Sequence, residues 1–183
     1  MKTILKMKND SKGFTLIELL AVIVILGILM ITAIPAVTKY INSSKKSTFA
    51  DSAGAYINAA RYSLLNDEYD CQTPAEVGQI VYIPLYAEGK ANIDIDKGTG
   101  KSSYGKDYDQ KSYVSVVYSG GKLVYSICLV DAGNNGTNKI SGTSSTCVVE
   151  EKELGKSTIA AQKATKPEDQ TSDPSKTICK KNN

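Results

Sequence analysis

Glu18 is the side chain whose position asks for chemistry. It opens an apolar run, Leu19 to Val37, that contains no charge and one hydroxyl, Thr32. A carboxylate at the edge of hydrocarbon is costly unless something pairs with it, so Glu18 is a candidate partner for a cation. The competing explanation is a helix N-terminal acid favoured by the macrodipole. Four cysteines, Cys71, Cys128, Cys147 and Cys179, are the next reactive set. None forms a Cys-x-x-Cys pair, so disulfides are expected rather than zinc ligands. Three pairings are open; the preferred one joins Cys128 to Cys147 between neighbouring strands and Cys71 to Cys179 at the tail.

Two further clusters carry less. Gly98-Thr99-Gly100-Lys101-Ser102 resembles the end of a phosphate-binding loop, but the pattern needs a glycine where Ile95 stands. It reads as a Gly/Lys/Ser surface loop. Asp94, Asp96, Asp107 and Asp109 could supply oxygen ligands to a cation. Twelve positions counted from Asp94 end at Gly105 rather than a glutamate, so the EF-hand spacing fails. Histidine, the commonest general base and metal ligand, is absent, as is tryptophan. No metal site, cofactor or catalytic residue is expected.

The formal charge is +3 over 183 residues. Residues 1–13 carry all of it, through Lys2, Lys6, Lys8 and Lys12 against Asp10, and the remainder has 18 basic and 18 acidic side chains. Without net basic charge, composition gives no argument for nucleic acid as a partner. The length suits one domain and a membrane segment.

The elements that must position Glu18 begin with its surroundings. At about 1.5 Å per helical residue, the apolar run spans most of a ~30 Å hydrocarbon core. The basic stretch before Gly13 lacks the apolar centre of a secretory signal. Its lysines place it on the cytoplasmic side and the rest of the chain outside. At Gly13-Phe14-Thr15-Leu16-Ile17-Glu18-Leu19-Leu20 the sequence resembles the prepilin signature of type IV pilins and pseudopilins. The close match covers about 25 residues, and beyond Pro35 only the general layout is shared. The resemblance implies cleavage after Gly13 by a prepilin peptidase and N-methylation of Phe14. It also implies that Glu18 pairs with the new N-terminus of a neighbouring subunit. Gly27 and Pro35 fall where many members carry helix-loosening residues. An inner-membrane assembly platform and a motor ATPase are further implied partners, with copies of the chain itself forming a homopolymer.

The expected fold is α+β, a long N-terminal helix packed on a small antiparallel β-sheet. Residues 1–13 form the leader, 14–37 the transmembrane or filament-core helix, 38–66 an amphipathic helix, 67–162 a globular head and 163–183 a flexible tail. Phe49, Ala53, Tyr56, Ile57, Ala60 and Leu64 share one helical face, with Lys45, Lys46, Ser52 and Arg61 largely off it. A kink or local melting is expected at Pro35, which lacks an N–H. Pro74 is expected to start a short helical turn, and Ile80 to Ile83 to form a brief strand. Glu88 to Gln110 and Asp131 to Ser145 read as loops. Gly120-Gly121 predicts a tight hairpin pairing Tyr118 with Leu123, Val116 with Tyr125 and Val114 with Ile127, all on the face toward the helix. Thr146 to Val149 could add a strand, and Glu150 to Gln162 a short helix or an edge. The tail is expected to be poorly ordered unless Cys179 ties it back.

The expected function is structural. The chain would be held as a single-pass plasma-membrane protein, then polymerise into a surface filament for adhesion, motility or surface interaction. The alternatives are a minor pilin or pseudopilin of a type II secretion or DNA-uptake system, or a tethered receptor that never polymerises. An enzyme has no nucleophile–base pair to support it.

Overall fold

The computed structural model describes residues 13–87, 90–93, 101–132, 137–141, 147–163 and 177–182. Residues 1–12, Asp94, Asp96, Gly98 to Gly100 and residues 164–176 of the expected tail lie outside the described residues. Two compact units are distinguished, Met1–Ile41 and Asn42–Asn183.

Helix α1 runs Leu16–Leu65. In the first unit its described residues are all exposed, Ile25, Leu29 and Ile34 among them. Its most apolar 18 residues average a hydropathy of 2.9, long and apolar enough to cross a membrane. The helical run is unbroken at Gly27 and at Pro35. No melted turn forms at Pro35, although the Ile31 carbonyl loses the N–H it would otherwise receive. One missing bond does not interrupt a helix already propagating on both sides, since each further residue adds its own bond.

In the second unit α1 buries Phe49, Ala50, Ala53, Tyr56, Ile57, Ala60 and Leu64, the expected stripe plus Ala50. The helix ends where Asp67 turns left-handed, at φ 53°. The Glu68 N–H then reaches back to the Ser63 carbonyl at 2.9 Å, satisfying an end that would otherwise lack a donor.

The sheet consists of β1 (Ile80–Pro84), β4 (Tyr113–Ser119), β5 (Lys122–Cys128), β7 (Val148–Glu150) and β9 (Thr177–Ile178), in the order β7-β5-β4-β1-β9. Small pairs form from β2 (Tyr86–Ala87) with β3 (Lys90–Ala91), and from β6 (Thr137–Ile140) with β8 (Ala160–Lys163). The hairpin has the expected register, Tyr118 opposite Leu123, Val116 opposite Tyr125 and Val114 opposite Ile127. Gly120 and Gly121 both take positive φ at its turn. One row, Ile83–Val114–Ile127–Val149, is buried across four strands and belongs to the same core as the helix stripe. On the opposite face Tyr113, Cys128 and Val130 form a second cluster with Tyr82 and Cys147.

Several expectations are corrected. The sheet is mixed, because β9 joins β1 in parallel. No helical turn starts at Pro74. Instead the Gln79 side chain accepts the N–H groups of Ala75 and Glu76 at 2.9 and 3.2 Å, and the Gln79 N–H closes a turn on the Glu76 carbonyl at 3.1 Å. The stretches read as loops hold β3 and β6. The segment from Glu150 divides into a short 3-10 turn, Glu151–Glu153, and the strand β8.

Candidate functional site

The N-terminal residues come first. Gly13 and Phe14 precede the helix, with the Phe14 side chain 92% exposed. Thr15 caps α1: its carbonyl receives the Leu19 N–H at 3.2 Å, and its hydroxyl oxygen accepts the Glu18 N–H at 3.3 Å. The Glu18 carboxylate answers by accepting the Thr15 N–H at 2.8 Å and the Thr15 hydroxyl at 2.9 Å. This is a reciprocal capping box, which satisfies donors the first helical turn cannot satisfy internally. The spacing Thr15-x-x-Glu18 carries that signal in the sequence.

Glu18 therefore holds its local position through Thr15 while remaining open to a further donor, since a carboxylate offers about four acceptor sites. Gly27 lies on α1 with open space where a Cβ would be. Thr32 and Thr38 return their hydroxyls to the carbonyls of Leu29 and Ile34, at 3.0 and 2.9 Å. These hydroxyls are thus spent within the helix, and the side chains the run offers outward are aliphatic.

The head is fixed by three separate arrangements. In the first, Phe49, Tyr56, Tyr104 and Tyr108 interlock by edge contacts, the Tyr56 and Tyr108 rings 5.6 Å apart at 88°. Burial raises the phenol pKa of both Tyr56 and Tyr108, because the tyrosinate would lose its water. In the second, Arg61 lies over the Tyr125 ring at 4.5 Å, binds the Glu151 carboxylate and donates to Asn58 at 2.7 Å. Its hydrogen bond to Glu151 raises its pKa from the ordinary guanidinium value. The helix, β5 and the 3-10 turn are tied together at this one side chain.

The third arrangement closes the C-terminus. Cys71 bonds to Cys179 and Cys128 to Cys147, leaving no cysteine free. Around the first bond, buried Asn92 donates to the carbonyls of Pro84 and Cys179 at 3.0 and 3.1 Å and accepts the Lys181 N–H at 2.6 Å. The Asp70 N–H reaches the Lys180 carbonyl at 2.9 Å, and the Asn182 N–H reaches the Glu68 carbonyl at 2.7 Å. Asn92 and Arg61 were not among the expected site residues. Asn92 has no periodic signal, and Arg61 reads as a solvent-face cation until its partners are brought up by the fold.

Among the expected ligand clusters, Ser102 is buried and donates to Asp131 at 3.1 Å. Asp109 accepts the Lys111 N–H at 2.9 Å within its own turn. No group of three or more metal-ligating side chains occurs among the described residues.

Comparison with known proteins bears on the two regions separately. The Prokaryotic N-terminal methylation motif matches residues 8–34. Fimbrial protein Q of Moraxella bovis is 30% identical over 136 residues, covering 73% of this chain and 76% of that protein. No solved structure matches the chain. The motif and the fimbrial relative agree, and the chain belongs to the type IV pilin family.

Proposed function

We propose that this chain is a filament-forming pilin, processed between Gly13 and Phe14, methylated on Phe14 and polymerised through the first half of α1. The observation that carries the reading is the division of apolar surface along that helix. The second half buries its stripe in the head's own core, whereas the first half exposes large aliphatic side chains throughout. Such surface needs lipid or other copies of itself. Glu18 supplies the specific element, a carboxylate set by Thr15 to receive the methylated amine of a neighbouring Phe14. Gly27 and Pro35 ease the bending that packing requires. The fimbrial relative supports a surface filament as the destination, with a peptidase, an assembly platform and a motor ATPase as the partners that family membership implies. The division into leader, filament-core helix, amphipathic helix and head follows the same logic, with residues 177–182 belonging to the head through β9 and the Cys71–Cys179 bond. No chemistry is asked of the head.

Mass spectrometry of filaments sheared from native cells tests the reading. N-methylated Phe14 on the dominant protein is the expected result. The same terminus at trace abundance would assign the chain to the minor pilins or pseudopilins. An intact Met1 on surface material would overturn the proposal.

A further inference from the structure

We propose that the cleft between residues 72–79 and the β1–β9 edge of the sheet is a binding site for a neutral saccharide. The cleft lies wholly within the head, and the inference requires nothing of filament assembly. Its volume is about 680 Å³, inside the range of roughly 300–1,000 Å³ that small-ligand sites occupy.

The walls are held from both sides. Cys71, bonded to Cys179, fixes the start of the 72–79 segment, and Pro74 is buried. The segment closes on itself through Gln79, whose side-chain oxygen accepts the Ala75 and Glu76 N–H groups and whose own N–H reaches the Glu76 carbonyl. With that oxygen engaged, the Gln79 amide nitrogen keeps two donors for a ligand. On the strand side, the Tyr82 ring is set against Tyr113, with centroids 5.5 Å apart at 72°. A cleft tied in this way loses little freedom when it is filled.

The lining selects the ligand. Gln72, Thr73, Gln79 and Thr177 bring amides and hydroxyls, which both donate and accept, while Ile80 and Tyr82 bring apolar surface. That combination suits a molecule with hydroxyls around its rim and C–H groups on its face. Among the described residues lining the cleft, Glu76 carries the only charge. A phosphate, sulfate or carboxylate would therefore meet repulsion and find no cation. Addition of a peptide strand to β1 is blocked, because Val81 and Tyr82 already pair with Thr177 and Ile178 along that edge.

An oligosaccharide array tests the proposal, each neutral glycan being printed beside its sialylated and sulfated forms. The full-length chain in detergent is carried in many copies on antibody-coated beads, so that weak single contacts add up. Neutral glycans should be bound, and their anionic forms at least about tenfold more weakly. Gln72 and Thr177 are exposed, so Gln72→Ala combined with Thr177→Val should leave thermal unfolding of the head unchanged. The same pair should weaken binding of the best neutral glycan by about tenfold. Tyr82→Leu, which removes the ring, should weaken it by roughly fivefold. The proposal is overturned if the wild-type chain binds no neutral glycan or prefers the anionic forms. Binding that survives all three substitutions overturns it as well, by placing the site elsewhere.

Discussion

The two halves of α1 share a backbone geometry and differ in what their side chains have found. From Phe49 onward the apolar positions recur every three or four residues and are buried against strands of the same chain. From Leu19 to Val37 the helix is apolar on all sides, and every residue is exposed. A helix that is apolar all round belongs inside lipid or a larger core, while a striped one belongs on a sheet. One secondary structure thus serves two folding problems. The stripe is solved within the subunit; the uniform surface is left without a partner in this chain, which is the basis of the proposed assembly role. Substitutions in the two halves should therefore separate cleanly, one set affecting filaments and the other affecting the head.

The largest expected separation is at Glu18. Glu18→Ala should be cleaved and methylated normally, and the head should unfold at the wild-type temperature, yet sheared filaments should disappear. Immunoblots of sheared and membrane fractions check this. Wild-type filament levels in the variant would remove the carboxylate from assembly altogether.

The head has its own large term in the two disulfides, which span 108 and 19 residues of sequence. Loop-closure entropy assigns about 5 kcal/mol to the longer bridge and about 3 kcal/mol to the shorter. Replacing Cys71 and Cys179 together with Ser should lower head stability more than replacing Cys128 and Cys147, as read by thermal unfolding in detergent. The reverse order would mean that the Asn92 and Asp70 hydrogen bonds hold the C-terminus without the covalent tie.

Within the helix, Ile57 is fully buried and Ile25 is 57% exposed. Ile57→Ala should cost the head about 2–5 kcal/mol through lost contacts and a cavity. Ile25→Ala should leave the head unchanged. A matching loss at both positions would erase the distinction between the halves.

Alkaline pH probes the same core. Burial raises the Tyr56 pKa above its ordinary 10.0. A raised folded-state value means that the folded head binds the phenol proton more tightly than the unfolded chain. The resulting stability is fully present below about pH 10 and is lost as pH climbs toward the folded value. Unfolding should therefore coincide with tyrosinate absorbance. Tyr56→Phe should move that transition upward in pH, and an unmoved transition would shift the weight to Tyr108.

How much of this was legible depends on the range of the interaction. The helix limits, the buried stripe and the hairpin register are local periodicities, visible because Phe49 to Leu64 and Tyr113 to Val130 each carry their own pattern. The parallel pairing of β9 with β1 was not legible, since Thr177 and Ile178 meet Val81 and Tyr82 across nearly a hundred residues. A two-residue strand has no periodicity to read. Asn92 was hidden for a related reason: its partners, Pro84, Cys179 and Lys181, come from both sides of the chain. At the N-terminus, Glu18 stood out by its apolar context, yet the Thr15 cap that orients it was overlooked although its spacing is local.

Arg61 gives the smallest effect and the finest test of how the striped half is held. Its guanidinium is planar, so one face can lie on Tyr125 while its edge meets Glu151 and Asn58. A lysine carries the same charge but has no plane to stack and no fork to share between two acceptors. If charge alone matters, Arg61→Lys should be neutral, because an ion pair this exposed contributes little. If the plane matters, Arg61→Lys should lose about 1 kcal/mol, close to the loss from Arg61→Ala. The aromatic partner makes the second outcome the expected one. Combining Arg61→Lys with Tyr125→Leu in a double-mutant cycle checks it, since the coupling to the ring and its hydroxyl disappears when the tyrosine is gone. Additive losses would mean that Tyr125 and Arg61 act independently, and that the helix is held to β5 by aliphatic packing alone.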